Sequence, residues 1–151
     1  GTIWDSGGHG DTIDLSAVTT DVFFDLNDGK SSTVTTDDWS LVPNISIAQG
    51  AEIENLIAGQ GDDLITANEH PNIFTFNSGF GSDEIIGFTK AMDKLVFKDA
   101  SGADIPEASI TPSSSGGDLQ LTTPDTDTLV LAGVPFDDYS FDIFFGDAAT
   151  T

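Results

Sequence analysis

The sequence predicts an all-β fold, in which a coil of parallel strands gives way to antiparallel strands. Three observations carry the prediction. Ile47, Leu56, Ile65 and Phe74 recur at a spacing of nine residues. Glu54, Asp63 and Asn72 form a second ladder at the same spacing. Beyond residue 86 come short apolar runs, Lys94-Leu95-Val96-Phe97, Leu119-Gln120-Leu121 and Thr128-Leu129-Val130-Leu131, split by Gly, Pro, Ser and Asp clusters. A repeat of nine is neither the period of an α-helix, about 3.6, nor that of a single strand, about 2. One inward apolar residue and one oxygen-bearing side chain per period is what a coil of parallel strands needs when its turns clasp a cation.

Composition narrows the partners. The chain has 151 residues, long enough for one domain with a real core. It carries 26 acidic residues against four lysines and no arginine, a formal net charge of -22. A small soluble domain usually carries a charge of magnitude about 2–8. The excess pushes the folded state apart unless counter-ions bind. Nucleic acid and anionic membranes are poor partners, because no basic patch meets their phosphates. Disorder is the other expectation for so acidic a chain, but eleven Phe, two Trp and regularly spaced Ile, Leu and Val supply a core. With no cysteine there are no disulfides and no thiolate metal sites. No charged-then-apolar leader and no long apolar run occur, so no membrane insertion is expected. A start at Gly1-Thr2-Ile3-Trp4 is that expected of a fragment of something larger. The acidic balance also suits a salt-adapted source.

The elements follow in three zones of a single expected domain, 1–151. Residues 1–48 hold an irregular acidic turn from Asp5 to Asp14, then strand-like runs at Asp21-Val22-Phe23-Phe24-Asp25-Leu26 and Asn44-Ile45-Ser46-Ile47-Ala48. A turn at Asn27-Asp28-Gly29-Lys30 separates strands. Residues 49–86 are the repeat zone. Residues 87–151 read as antiparallel β. Within them, 101–117 is poor in large apolar side chains and reads as a loop. Asp137 to Phe145 reads as a short helix or a final strand.

The repeat has a chemistry. Calcium takes six to eight oxygens at about 2.3–2.6 Å. A turn supplies them when glycines fold carbonyls inward and an Asp follows. Ala58-Gly59-Gln60-Gly61-Asp62-Asp63-Leu64-Ile65-Thr66 fits the nonapeptide G-G-x-G-x-D-x-U-x, with Ala58 for the first glycine. The next nine residues degrade the turn, with Asn72 at the Asp position and Asn68 in place of a glycine. The previous nine place Glu54 at the Asp position. A further good copy, Ser78-Gly79-Phe80-Gly81-Ser82-Asp83-Glu84-Ile85-Ile86, follows after two extra residues. Turns one revolution apart, about eighteen residues, stack and share an ion. Asp63 is therefore expected to pair with Asp83, with two extra residues absorbed between Phe74 and Ser78. On the opposite edge Glu54 is expected to face Asp5-Ser6-Gly7-Gly8-His9-Gly10-Asp11. The competing reading is an ordinary β-turn, since Gly and Asp dominate turns. Two good copies on a shared ladder weigh against it.

The repeat resembles the RTX calcium-binding nonapeptide. The whole chain resembles the C-terminal domain of serralysin-type secreted metalloproteases. The similarity rests on Ile3-Trp4-Asp5-Ser6-Gly7-Gly8 with Asp11-Thr12-Ile13-Asp14, and on Asn44-Ile45-Ser46-Ile47-Ala48-Gln49-Gly50 with Ile53-Glu54-Asn55. It rests also on Gly81-Ser82-Asp83-Glu84-Ile85-Ile86-Gly87-Phe88 with Asp93-Lys94-Leu95. The resemblance implies a parallel β-roll merging into an antiparallel β-sandwich, calcium in the turns (two or three ions, since this roll is short), and a secreted, extracellular protein exported by type I secretion machinery. It implies calcium ligands at Gly59, Gly61 and Asp63 of one turn and at Ser78, Phe80 and Asp83 of its partner. It implies a second set at Glu52, through its carbonyl, and Glu54, with Asp5, Gly7, Gly8 and Asp11 opposite. Asp142-Ile143-Phe144-Phe145 is similar to the family's C-terminal secretion signal; a plain terminal strand is the alternative.

A catalytic site is not expected. A zinc protease needs H-E-x-x-H on a helix, and the chain has only His9 and His70. Pro71 breaks any helix at Glu69-His70, so His70 is expected to face solvent from a turn. Ser113-Ser114-Ser115-Gly116-Gly117 lacks the context of a nucleophile elbow. Asp37-Asp38 and Asp137-Asp138 lack the aromatic surroundings of a glycoside hydrolase site. Trp4 and Trp39 are expected in the core rather than on a sugar. The reading is a non-catalytic calcium-dependent folding and secretion module. The alternative is an extracellular polysaccharide-binding or surface-binding module, and a small hydrolase is a distant third.

Overall fold

The computed structural model describes residues 1–4, 8, 10–34 and 45–146. Among these the strands are β1 (Thr2–Ile3), β2 (Thr12–Asp14), β3 (Val22–Asp25), β4 (Ser31–Val34), β5 (Ile45–Ile47), β6 (Asn55–Ile57) and β7 (Leu64–Thr66). There follow β8 (Ile73–Asn77), β9 (Ser82–Ile86), β10 (Lys94–Lys98), β11 (Thr111–Ser115), β12 (Asp118–Thr122) and β13 (Thr128–Pro135). They form a four-stranded sheet, β10-β8-β6-β2, and a nine-stranded sheet, β1-β5-β4-β3-β7-β9-β13-β12-β11.

The nine-residue ladder explains the two sheets. From Leu56 onward successive periods alternate between them, so two periods make one revolution; Ile47, expected as the first member, is buried but lies on β5, which pairs antiparallel with β4, and Phe24 takes the place beside Ile65. In the four-stranded sheet every pairing is parallel, and Ile13, Leu56, Phe74 and Leu95 stand side by side. In the other sheet Phe24, Ile65, Ile85 and Leu131 do the same along β3, β7, β9 and β13, again in parallel. Leu56, Ile65, Phe74, Ile85 and Leu131 are fully buried. Each such side chain removed from water contributes about 1.5–3 kcal/mol, which fixes the register, since a one-residue slip would turn every one of them outward.

Leu56 and Phe74 are one regular revolution apart, whereas Ile65 pairs with Ile85, two residues further on. The expected two extra residues are absorbed by lengthening β8, which buries Phe76 as well as Phe74. Phe76 lies 5.0 Å from Phe80 and 5.6 Å from Phe97, ring centre to ring centre. Phe97 meets Phe144 at 6.3 Å. This aromatic cluster carries the core from the roll into the antiparallel β11-β12-β13 meander, which joins the roll where β13 runs parallel to β9. The result is the β-roll merging into a sandwich that the sequence predicts.

Several local expectations change. The stretch 101–117 is not all loop: it holds a 3-10 turn at Glu107–Ser109 and the strand β11. An edge strand needs backbone pairing on one side only, so Pro112 and a run of serines are tolerated there. Residues 136–143 form two 3-10 turns, Phe136–Asp138 and Phe141–Ile143, and Phe144 then pairs in parallel with Leu95. Trp4 is not a core residue; it is 78% exposed. Ile3 packs against the core, and along an extended chain the next side chain points the other way. His70 sits in a turn as expected but is half-buried, its N–H donating to Asn68 Oδ1 at 3.0 Å. Trp39, His9, Asp37 and Asp38 lie outside the described residues. No helix is long and apolar enough to cross a membrane among the described residues.

Candidate cation-binding turns

The turns ending in Asp63 and Asp83 stack, as the sequence predicts. Each enters its strand in the nine-stranded sheet, and both carboxylates are only 3% exposed. The Val22 N–H donates to Asp63 Oδ1 at 3.0 Å, and the Asp63 N–H donates to Asp83 Oδ1 at 2.9 Å. Each carboxylate thus spends one oxygen on the backbone of the preceding turn. Asp63 Oδ2 and Asp83 Oδ2 are buried and accept no hydrogen bond. A buried oxygen left without a donor costs about 1–3 kcal/mol, more when charged.

The electrostatics follow. Burial pushes the Asp63 carboxyl up to about 7, against the pull of the Val22 N–H and, more weakly, the Gly59 N–H, and with the added repulsion of Asp21 and Asp62. Burial pushes Asp83 up to about 9, with repulsion from Asp63, Asp62 and Asp127. Two buried carboxylates with one unpaired oxygen each, in stacked turns, form a donor set suited to a hard cation. Among the described residues no cluster of three or more His, Cys, Asp or Glu side chains could hold a metal ion. A cation here would therefore take backbone carbonyls for most of its ligands, as the glycine-rich turn implies.

The glycines make the stacking possible. A Cβ on Gly59 would meet the carbonyl oxygens of Leu15 and Val18 at 2.4 Å. A Cβ on Gly81 would meet the Gly61 carbonyl oxygen at 2.7 Å, and Gly81 has a φ of 85°. The Phe80 side chain is buried in the aromatic cluster, so only its backbone belongs to the turn. Ser78 Oγ donates to Asp125 Oδ2 at 2.7 Å.

On the opposite edge the structure brings Gly8, Asp11 and Glu54 together. The Asp11 N–H donates to Glu54 Oε2 at 2.9 Å. The N–H groups of Glu54 and Asn55 return to the Asp11 carbonyl at 3.2 and 2.9 Å. A Cβ on Gly8 would lie 3.6 Å from Asp11 Oδ2. Glu52 is exposed. Asp5 and Gly7, also expected here, lie outside the described residues. The degenerate copy behaves differently. Asn72 Nδ2 donates to the carbonyls of Ile53 (3.2 Å) and Glu54 (3.1 Å), and the Asn68 N–H donates to Asn72 Oδ1 at 3.2 Å. There a neutral amide supplies donors to two backbone carbonyls.

Sequence reasoning missed the next rungs. Asp93 is fully buried and accepts from the N–H groups of Asn72 and Thr89, both at 2.8 Å. Asp127 accepts from Gly79 N–H at 2.7 Å and Gly81 N–H at 3.2 Å. Asp21 and Asp62 accept from Asp62 N–H (2.8 Å) and Ser82 N–H (2.9 Å) respectively. Asp93 and Asp127 fall off the nine-residue spacing; the one available sign was an Asp directly before each later strand.

The profile of the peptidase M10 serralysin C-terminal family matches residues 1–111. The chain is 42% identical over 72 residues to the metallopeptidase AprA of Pseudomonas marginalis, covering 48% of this chain and 14% of that protein. It is 44% identical over 71 residues to the serralysin of Proteus mirabilis, covering 47% of this chain and 13% of that protein. It is 45% identical over 62 residues to serralysin C of Dickeya chrysanthemi, covering 41% and 12%. The matched segment is thus a small part of the length of these relatives. The chain belongs to the peptidase M10 serralysin C-terminal family.

Proposed function

We propose that residues 1–151 act as one non-catalytic, calcium-binding domain of a larger secreted protein of serralysin type. In this reading the domain folds outside the cell, in calcium, and supports export by type I secretion machinery. The observation that carries the reading is the pair of buried Asp63 and Asp83 oxygens without hydrogen-bond donors in stacked turns. Gly59, Gly61, Asp63, Ser78, Phe80 and Asp83 would hold one ion, the glycines, Ser78 and Phe80 through carbonyls. Asp11, Glu54, Glu52 and Gly8, with Asp5 and Gly7, would hold another. The ion supplies positive charge where the chain has gathered buried negative charge.

The energetics suit a switch. At low calcium the buried carboxylates oppose folding. At 100 times its dissociation constant each bound ion adds about 2.7 kcal/mol to the folded state, a large share of the 5–15 kcal/mol typical of whole domains. Ile143 and Phe144 of the segment similar to a secretion signal are buried in the folded domain, so an unfolded chain is the form that would present them to a transporter. The test is circular dichroism during a calcium titration. β content should rise with calcium, and identical spectra with and without chelator would defeat the proposal.

A second reading, attachment to an extracellular polysaccharide, draws on the exposed Trp4, since an exposed indole is a surface for stacking on a sugar. A glycan-binding screen in calcium separates the two: a secretion module retains no glycan.

A further inference from the structure

Resting on the calcium reading above, we infer that Asp127, in the turn before β13 and beyond the residues the family profile matches, is a positioning residue that aims the Ser78 and Phe80 carbonyls at the cation site. The argument is one of peptide geometry. All peptide bonds of the described residues are trans, and in a planar trans peptide the N–H and C=O point in opposite directions. The Gly79 N–H belongs to the Ser78–Gly79 peptide and the Gly81 N–H to the Phe80–Gly81 peptide. Asp127 Oδ2 and Oδ1 hold these two N–H groups at 2.7 and 3.2 Å. β9 lies between β13 and β7 in the sheet. With both N–H groups turned toward the β13 side, the carbonyls of Ser78 and Phe80 turn toward the β7 side, where the Asp63 turn stacks.

The facing turn is held the opposite way round. The Gln60 N–H donates to the Val18 carbonyl and the Asp62 N–H to Asp21 Oδ1, both at 2.8 Å. These bonds point toward β3, so the carbonyls of Gly59 and Gly61 point toward β9. The Gly61 oxygen does so, lying 2.7 Å from where a Gly81 Cβ would stand. Four carbonyls, with Asp63 and Asp83, then face a common gap.

The turn that delivers Asp127 is built for the purpose. Thr123-Pro124-Asp125-Thr126 closes with Thr126 N–H on the Thr123 carbonyl at 2.9 Å, and Pro124 stands at a position that favours proline. Thr126 then adopts a φ of 70°, the one positive value among described non-glycine residues. Such a conformation costs a β-branched residue energy and persists when its surroundings fix it. Here they do: the Thr123 N–H meets the Asp127 carbonyl at 2.9 Å, Asp125 accepts from Ser78 Oγ, and the Thr128 N–H meets the Gly81 carbonyl at 2.9 Å.

The test uses the calcium-loaded chain, 1–151. Calcium release into a fluorescent chelator is timed by stopped flow, with affinity from calorimetry. Asp127→Ala should release one class of ion about tenfold faster, the equivalent of one charge-assisted hydrogen bond. Asp127→Asn, which offers one acceptor to two donors, should do the same and carries the test if the alanine variant does not fold. Leu119→Ala, a fully buried residue of the neighbouring strand β12 that pairs with Leu131 and not with the turns, lowers thermal stability and should leave the release rate within about twofold, which separates positioning from general stabilisation. Wild-type release rates in both Asp127 variants overturn this inference alone. A wild-type chain that binds no calcium by calorimetry overturns both this inference and the calcium reading.

Discussion

Gly79 and Gly81 form a matched pair for testing whether the turns are stacked as tightly as they stand here. Their φ values are 89° and 85°, so an alanine at either position bears the same backbone penalty, about 1–2 kcal/mol. Their surroundings differ. Nothing lies within 4 Å of a Gly79 Cβ, whereas a Gly81 Cβ meets the Gly61 oxygen at 2.7 Å and Asp62 Oδ1 at 2.8 Å. Ordinary contact begins at 3.4 Å, so the Gly81 turn must retreat by 3.4 − 2.7 = 0.7 Å from the Asp63 turn. That retreat would stretch the Asp63 N–H to Asp83 Oδ1 bond from 2.9 Å to beyond hydrogen-bond range. Losing one bond to a charged group costs about 1.5–3 kcal/mol. At about 2–4 °C per kcal/mol for a chain of this size, Gly81→Ala should melt about 3–12 °C below Gly79→Ala. Thermal circular dichroism in saturating calcium reads the difference. Equal melting temperatures for the two variants would refute the close stacking, and with it the shared site.

Two further outcomes follow from the buried carboxylates. Asp83→Asn removes a carboxylate that must take up a proton to be buried without metal and keeps the acceptor for the Asp63 N–H, so it should raise the melting temperature in chelator and abolish most of the gain on adding calcium; a variant that gains as much from calcium as wild type would show that Asp83 is not a ligand. The metal-free domain should lose stability as pH rises. Asp63 and Asp83 titrate near 7 and 9 when folded, against about 3.9 unfolded. The folded state therefore holds more protons between those values, and its stability is greatest below about 4 and declines up to about 9. Melts in chelator at pH 5 and pH 8 check the sign, and a higher melting temperature at pH 8 would contradict it.

The stacked site was legible because its signal is one-dimensional. Period nine places Leu56, Ile65 and Phe74 inward, and the same period places Asp63 under Asp83, even across two inserted residues. Asn72 was legible as a degenerate copy, but not its use of a side-chain amide to satisfy two carbonyls, which depends on where Ile53 and Glu54 lie. Asp93 and Asp127 were illegible. Asp93 meets Asn72, 21 residues back (93 − 72), and Asp127 meets Gly81, 46 residues back (127 − 81), and no spacing rule connects them. Trp4 was misjudged because hydrophobicity alone does not say which way a side chain at the end of a two-residue strand will point.

By itself, the sequence determined the repeat, hence the coil, its inward residues and the chemistry of its turns, because a parallel roll writes its geometry as a period along the chain. Only the tertiary structure decided how the coil is closed. It brings the β12–β13 loop back so that Asp127 meets Gly79 and Gly81, and it buries Ile143 and Phe144 against the roll. Those contacts join residues far apart in the chain through single hydrogen bonds and side-chain packing, which leave no periodic trace in the order of the amino acids.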